Sequence, residues 1–151
     1  MVKISLDIIT KRENMQLHNT TQYAIRILSY IAKFGDSRLY PAKELSQTLN
    51  IPYKFLTKIM TELVKSDFVD SIKGREGGYK LARPSQEISV YDILGSFKEL
   101  EDDTKCVLGI GECDGNNKCA LHDQWIEPRN LIRKMYKDTT LDKLEGQEFK
   151  M

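Results

Sequence analysis

Three cysteines and a histidine crowd into one short stretch, Cys106, Cys113, Cys119 and His122, separated by six, five and two residues. Thiolate sulfur and imidazole nitrogen are soft donors that suit zinc, iron-sulfur clusters and related transition-metal centres. Gly109, Gly111 and Gly115 fall in the same stretch and let the backbone wrap around an ion or a cluster. Zinc accepts a Cys3His set in a tetrahedron, so spacing alone leaves zinc and an iron-sulfur cluster both open. Unligated cysteines and a disulfide switch are the remaining readings. Against activated thiols stand Glu101, Asp102, Asp103, Glu112, Asp114 and Asp123, which are expected to raise thiol pKa values unless a bound cation reverses the effect. An odd cysteine count in a reducing compartment suits ligands or redox groups better than a disulfide framework.

Other chemistries find little support. The second histidine, His18, lies near the start of a helical pattern and is expected to be a surface or capping residue. No nucleophile, base and orienting acid share a recognisable scaffold, and neither a phosphate-binding glycine loop nor a Cys-x-x-Cys redox pair occurs, so an enzyme is not expected.

The elements ahead of the cysteines follow a clear order. Tyr23, Ile27, Tyr30, Ile31 and Phe34 recur at three and four residues, the stripe of an amphipathic helix over Thr20–Phe34 that Gly35 stops. Pro41 opens a short second helix, Ala42–Leu49, with Leu45 and Leu49 on one side. Asn50-Ile51-Pro52 breaks it, because proline disfavours helical geometry in the residue before it and suits the start of the next helix. That third helix is expected to bury Phe55, Leu56, Ile59, Met60 and Leu63 and to turn Lys54, Thr57, Lys58 and Thr61 outward. Val69–Lys73, a Gly74–Gly78 turn and Tyr79–Arg83 then read as a β-hairpin.

Helix, helix, tight turn, helix and hairpin together make a winged helix-turn-helix, whose third helix enters a major groove while the hairpin reaches the neighbouring backbone. Lys54 and Lys58 with the hydroxyls of Thr57 and Thr61 are candidate donors to phosphates or base edges, and Tyr53 at the helix start joins them. In the hairpin tip Lys73 and Arg75 are candidate phosphate contacts, where Gly74, Gly77 and Gly78 permit a sharp turn or close approach to another molecule. Charge agrees. Residues 15–83 carry 11 Lys and Arg against 6 Asp and Glu, and residues 84–151 carry 9 against 14, which suits a protein with one face on a polyanion.

Beyond the hairpin, Ser89-Val-Tyr-Asp reads as a capping box opening a short helix with Ile93, Leu94 and Phe97. After the cysteines, Trp125, Ile132, Met135 and Tyr136 have helical spacing, with Pro128 expected in the first turn or at a kink, and Thr139–Leu144 reads as a last helical turn. No stretch approaches the roughly 20 apolar residues of a membrane span, and the opening segment shows no cleavable leader pattern, so the cytoplasm is expected and no membrane partner.

Tyr23-Ala-Ile-Arg26, Lys73-Gly-Arg-Glu-Gly-Gly-Tyr-Lys-Leu-Ala-Arg-Pro84, Cys106…Cys113…Cys119-Ala-Leu-His122-Asp-Gln-Trp125 and Thr139-Thr-Leu together make Met15 to about Leu144 resemble the IscR and NsrR type of winged-helix regulators. The resemblance implies a mainly α fold with a small β-hairpin and a C-terminal dimerisation helix, and a homodimer presenting two winged helices to a roughly palindromic double-stranded DNA operator. It implies a transcription regulator, a repressor sensing iron-sulfur, redox or nitric oxide status. Cys106, Cys113 and Cys119 fall on the family's cluster ligands, for a 2Fe-2S or 4Fe-4S cluster, and His122 falls where IscR-like members place a histidine ligand.

Two departures are visible: the first cysteine gap is one residue longer than in IscR-like members, and Thr57 replaces an acidic residue that tunes operator choice there. The expected partition is an extension at 1–14, the DNA-binding domain at 15–84, a connecting helix and cysteine loop at 85–123, and the dimerisation helix with tail at 124–151. A cluster-free thiol-switch regulator, or a zinc-stabilised protein-interaction module, is the alternative.

Overall fold

A computed structural model describes residues 17–35, 37–100 and 104–144; the extension expected at 1–14 lies outside them. The chain is mainly helical with a small two-stranded sheet, in the order α1 (Asn19–Phe34), α2 (Ala42–Thr48), α3 (Tyr53–Lys65), β1 (Val69–Ile72), β2 (Gly78–Leu81), α4 (Val90–Ser96), α5 (His122–Asp138) and α6 (Leu141–Leu144). No described helix is long and apolar enough to cross a membrane.

α1 is the wall against which the other elements lean. It packs on α3, β2, α4 and α6, and its buried residues, Thr21, Ala24, Ile25, Ile27, Leu28, Ser29 and Ile31, run around most of its circumference. The single stripe read from the sequence is therefore too narrow. Phe34, expected inside, is 51% exposed at the helix end, its ring 4.8 Å from that of half-buried Tyr30. One hydrophobic cluster joins Ala24, Ile25, Ile27, Leu28 and Ile31 to Leu56, Met60 and Leu63 of α3, Val69 of β1, Ile93 and Leu94 of α4, and Leu141 of α6.

The turn between α2 and α3 is built by Asn50, whose φ of 51° is a conformation asparagine tolerates better than most residues. Ile51 is buried there, and its carbonyl accepts the Ser46 hydroxyl at 2.7 Å, fixing one helix against the other. On α3, Leu56, Ile59, Met60 and Leu63 are buried as expected, but Phe55 is 58% exposed. The four buried positions already fill the inward face, and Phe55 stands at its edge.

The hairpin pairs Val69 with Leu81 through Ile72 with Gly78 in antiparallel register. Tyr40 adds a bridge beside it, exchanging backbone hydrogen bonds with Tyr79 at 2.9 Å in both directions. Arg38 fixes this segment by donating to both carboxylate oxygens of Glu44, at 2.8 and 2.6 Å, while lying 4.3 Å from the Tyr40 ring centroid. The close approach that glycine permits in the wing is thus made within the chain: a Cβ on Gly78 would sit 2.8–3.0 Å from backbone atoms of Tyr40.

Behind the wing, Ser89 and Asp92 form the reciprocal capping box of α4, the Ser89 hydroxyl accepting the Asp92 amide at 3.1 Å and the Asp92 carboxylate the Ser89 amide at 3.0 Å. Pro128 lies inside a continuous α5, past its first turn, and removes the amide that would otherwise reach the Gln124 carbonyl.

Gly78→Ala is expected to lower the unfolding free energy by about 1–3 kcal/mol, the usual range for forced overpacking. Gly115→Ala, with nothing within 4 Å, should be close to neutral. Thermal unfolding of the two variants checks both, and equal stability would contradict the packing of wing against Tyr40.

Candidate nucleic-acid interface and metal centre

The first turn of α3 and the wing tip each carry exposed cations. Lys54 and Lys58 are exposed on α3, Tyr53 is 55% exposed at its start, and Lys73 and Arg75 are exposed between the strands. A shallow cleft of about 370 Å³ lined by Lys43, Ser46, Gln47 and Tyr53 lies where α2 meets α3. Thr57 is half-buried and Thr61 exposed, but both hydroxyls are turned back on the helix: Thr57 donates to the Lys54 carbonyl at 3.1 Å and Thr61 to the Thr57 carbonyl at 2.9 Å. Their protons are spent locally, so in this state the two oxygens offer acceptors rather than the donors expected from sequence.

The cysteines occupy a loop between α4 and α5. Its entry is a miniature hairpin: the Cys106 amide donates to the Gly111 carbonyl at 2.8 Å, the Cys113 amide donates to the Thr104 carbonyl at 2.7 Å, and Lys105 bridges Glu112. The reversal turns on Gly109, whose amide donates to the Cys106 carbonyl at 2.8 Å and whose φ of 75° disfavours a side chain. Asp114 caps the next bend, accepting the amides of Asn116 and Asn117 at 2.9 Å each. The Cys119 carbonyl then accepts the His122 amide at 3.1 Å, which starts α5.

The four candidate ligands meet as two pairs. The Cys119 thiol is near enough to Cys106 to help lower its pKa, and the Cys113 sulfur lies 3.5 Å from Nδ1 of His122. Cys106 and His122 are buried, Cys113 and Cys119 half-buried. Among the described residues no three or more His, Cys, Asp or Glu side chains converge as a ready-made metal site. The Cys106 thiol is shifted down, chiefly by the backbone at Ile110 and Leu108 and then by Cys119. For Cys106 this runs against the expectation that neighbouring acids raise the thiol pKa. Backbone dipoles lie closer to this sulfur, Asp123 is engaged with Lys118 at 2.9 Å, and Glu101, Asp102 and Asp103 lie outside the described residues.

The segment before the loop is tied to the start of α1, and the segment after α5 is tied to the residues just behind the wing. Ahead of the loop, the half-buried Glu99 carboxylate accepts the His18 amide at 2.6 Å and the buried Thr21 hydroxyl at 3.1 Å, and His18 Nδ1 lies 2.7 Å from it. Glu99 thus caps α1 from a distance in sequence, while the His18 ring itself is largely exposed and makes no cap of its own. Past α5, the Val90 amide donates to the Thr139 carbonyl at 2.8 Å and the Leu141 amide to the Ile88 carbonyl at 3.0 Å. Glu99 was not identifiable from sequence, since its partners lie some eighty residues away and no local motif marks the contact.

Comparison with known proteins agrees with this architecture. The model of the Rrf2 family, described as iron-dependent transcriptional regulator, matches residues 17–146. An HTH-type transcriptional regulator of Aquifex aeolicus is 34% identical over 138 residues, covering 90% of this chain and 95% of that protein. The HTH-type transcriptional regulator IscR of Vibrio cholerae is 28% identical over 130 residues, covering 86% and 75%. Among solved structures, CymR (YrzC), the global cysteine regulator of B. subtilis, superposes with a TM-score of 0.72 at 25% identity, covering 87% of this chain and 97% of that one.

Glu99→Ala leaves the His18 amide and the buried Thr21 hydroxyl without their acceptor. Because hydrogen bonds to a charged group are involved, the unfolding free energy should fall by about 1–3 kcal/mol, and chemical denaturation that finds no loss would refute the cap.

Proposed function

The chain belongs to the Rrf2 family of iron-dependent transcriptional regulators, and from that premise we propose that it is a homodimeric repressor that senses iron-sulfur, redox or nitric oxide status at the cysteine loop and reports it to DNA. The observation that carries this reading is the placement of the candidate ligands. They lie on one loop whose flanks are bonded both to the N-terminus of α1 and to the segment behind the wing.

For DNA, Lys54, Lys58, Lys73 and Arg75 supply the cations and Tyr53 a phenol; Thr57 and Thr61 supply hydroxyl oxygens, or donors once rotated off the helix. For the metal, Cys106, Cys113, Cys119 and His122 are the holding set, and three sulfurs with an imidazole, two of the four residues buried, fit an iron-sulfur cluster, 2Fe-2S or 4Fe-4S, by their chemistry. Such a cluster supplies a centre whose charge and integrity change with electron transfer, oxygen or nitric oxide. The chain's own part is to hold it at the head of α5, so that its loss loosens the loop between two tethered ends. Zinc is the alternative occupant of the same donors.

α5 is the proposed dimer contact. Leu121 at its cap and Leu131 and Met135 along it are 40%, 59% and 53% exposed, with half-buried Trp125 and Ile132 beside them, an apolar side that a second α5 would cover.

A cluster-free thiol switch is the second reading, favoured by the closeness of the Cys119 thiol to Cys106 and by the likeness to the cysteine regulator CymR. The test is protein purified without oxygen, assayed for visible absorption, iron, sulfide and zinc. Iron with sulfide and a broad visible band, lost in Cys106→Ala, Cys113→Ala and Cys119→Ala, is expected. Stoichiometric zinc in colourless protein would replace the cluster with zinc, and metal-free protein would overturn the metal reading in favour of the thiol switch.

A further inference from the structure

The outward residues of α3 include one that has no electrostatic use. Phe55 lies in the helix's first turn, 58% exposed, at the edge of the outward face beside Lys58, while Leu56, Ile59, Met60 and Leu63 complete the inward face. Single exposed apolar residues are common on proteins. This one differs in its company, since the cations Lys54, Lys58, Lys73 and Arg75 are exposed around α3 and the wing and complement a polyanion. A phenyl ring held against a polyanion gains nothing from phosphate. It gains by covering apolar surface.

In a major groove only one base presents such surface, thymine, through its C5-methyl group. N-terminal residues of a helix inserted in the groove are those that reach base edges, and Phe55 is the third residue of α3. Tyr53, on the other edge of the same turn, carries a hydroxyl for the backbone and so does not duplicate the role.

Resting on the DNA-binding reading above, we propose that Phe55 is a specificity-determining residue that packs on the C5-methyl of a thymine in each operator half-site. Lys54 and Lys58 then supply affinity, and Phe55 supplies a preference for thymine at one position.

The experiment first selects operator sequences from a random duplex pool with the wild-type protein. Each thymine of the selected site is then replaced in turn by deoxyuridine, which removes only the methyl group. Wild type is expected to lose about fourfold in affinity at one thymine per half-site, the worth of one buried methyl. Phe55→Ala, at an exposed position, should keep the wild-type melting temperature yet bind thymine and deoxyuridine sites alike. Lys58→Ala should weaken both equally and lower the salt dependence of binding by about one counterion per half-site. Wild type indifferent to every replacement, or Phe55→Ala with the full methyl preference, would overturn the assignment while leaving DNA binding intact. Failure of wild type to select any sequence would overturn the DNA-binding reading and this inference with it.

Discussion

The enclosure of α1 is the constraint on which the rest of the molecule depends. It touches α3, β2, α4 and α6, so the proposed recognition helix, the wing and the segments that flank the cysteine loop share one wall. Packed interiors do not deform smoothly, because side chains at crystal-like density have few alternative arrangements. Glu99 closes the N-terminal end of that wall and the main-chain bonds of Ile88, Val90, Thr139 and Leu141 brace the segment behind it. A change in the loop between these ties therefore has a short mechanical route to the DNA-reading surface, which is what the proposed sensor requires.

Most of the architecture was legible in the residues. Helix breakers were the clearest signals: Gly35, Asn50-Ile51-Pro52 and the Ser89–Asp92 box each act where their local chemistry directs. Burial was less legible. Periodicity alone gave α1 a single buried side, whereas contact with four elements buries Thr21 and Ser29 as well and leaves Phe34 out. Phe55 shows the same limit from the other direction, since an aromatic beside an apolar stripe reads as core until the stripe proves full without it.

The candidate centre was legible in composition but not in arrangement. Spacing brought the three cysteines and His122 to attention, yet their division into Cys106 with Cys119 and Cys113 with His122 depends on the hairpin turning at Gly109, a backbone event that spacing does not encode. The acidic residues around them were expected to raise the thiol pKa values, whereas at Cys106 the neighbouring backbone lowers it. The glycines of the wing were read for what they leave open to a partner, and Gly78 proves to be occupied by Tyr40 of the same chain.

The proposed sensor requires that the state of the cysteine loop be felt at the DNA. It is tested most directly by titrating one selected duplex with an oxygen-free preparation before and after its iron is removed by a chelator, alongside Cys113→Ala. Coupling of ordinary strength changes affinity by about 5- to 150-fold, with the stripped protein and Cys113→Ala binding alike. Identical affinities in all three would show that the loop and the DNA-reading surface act independently.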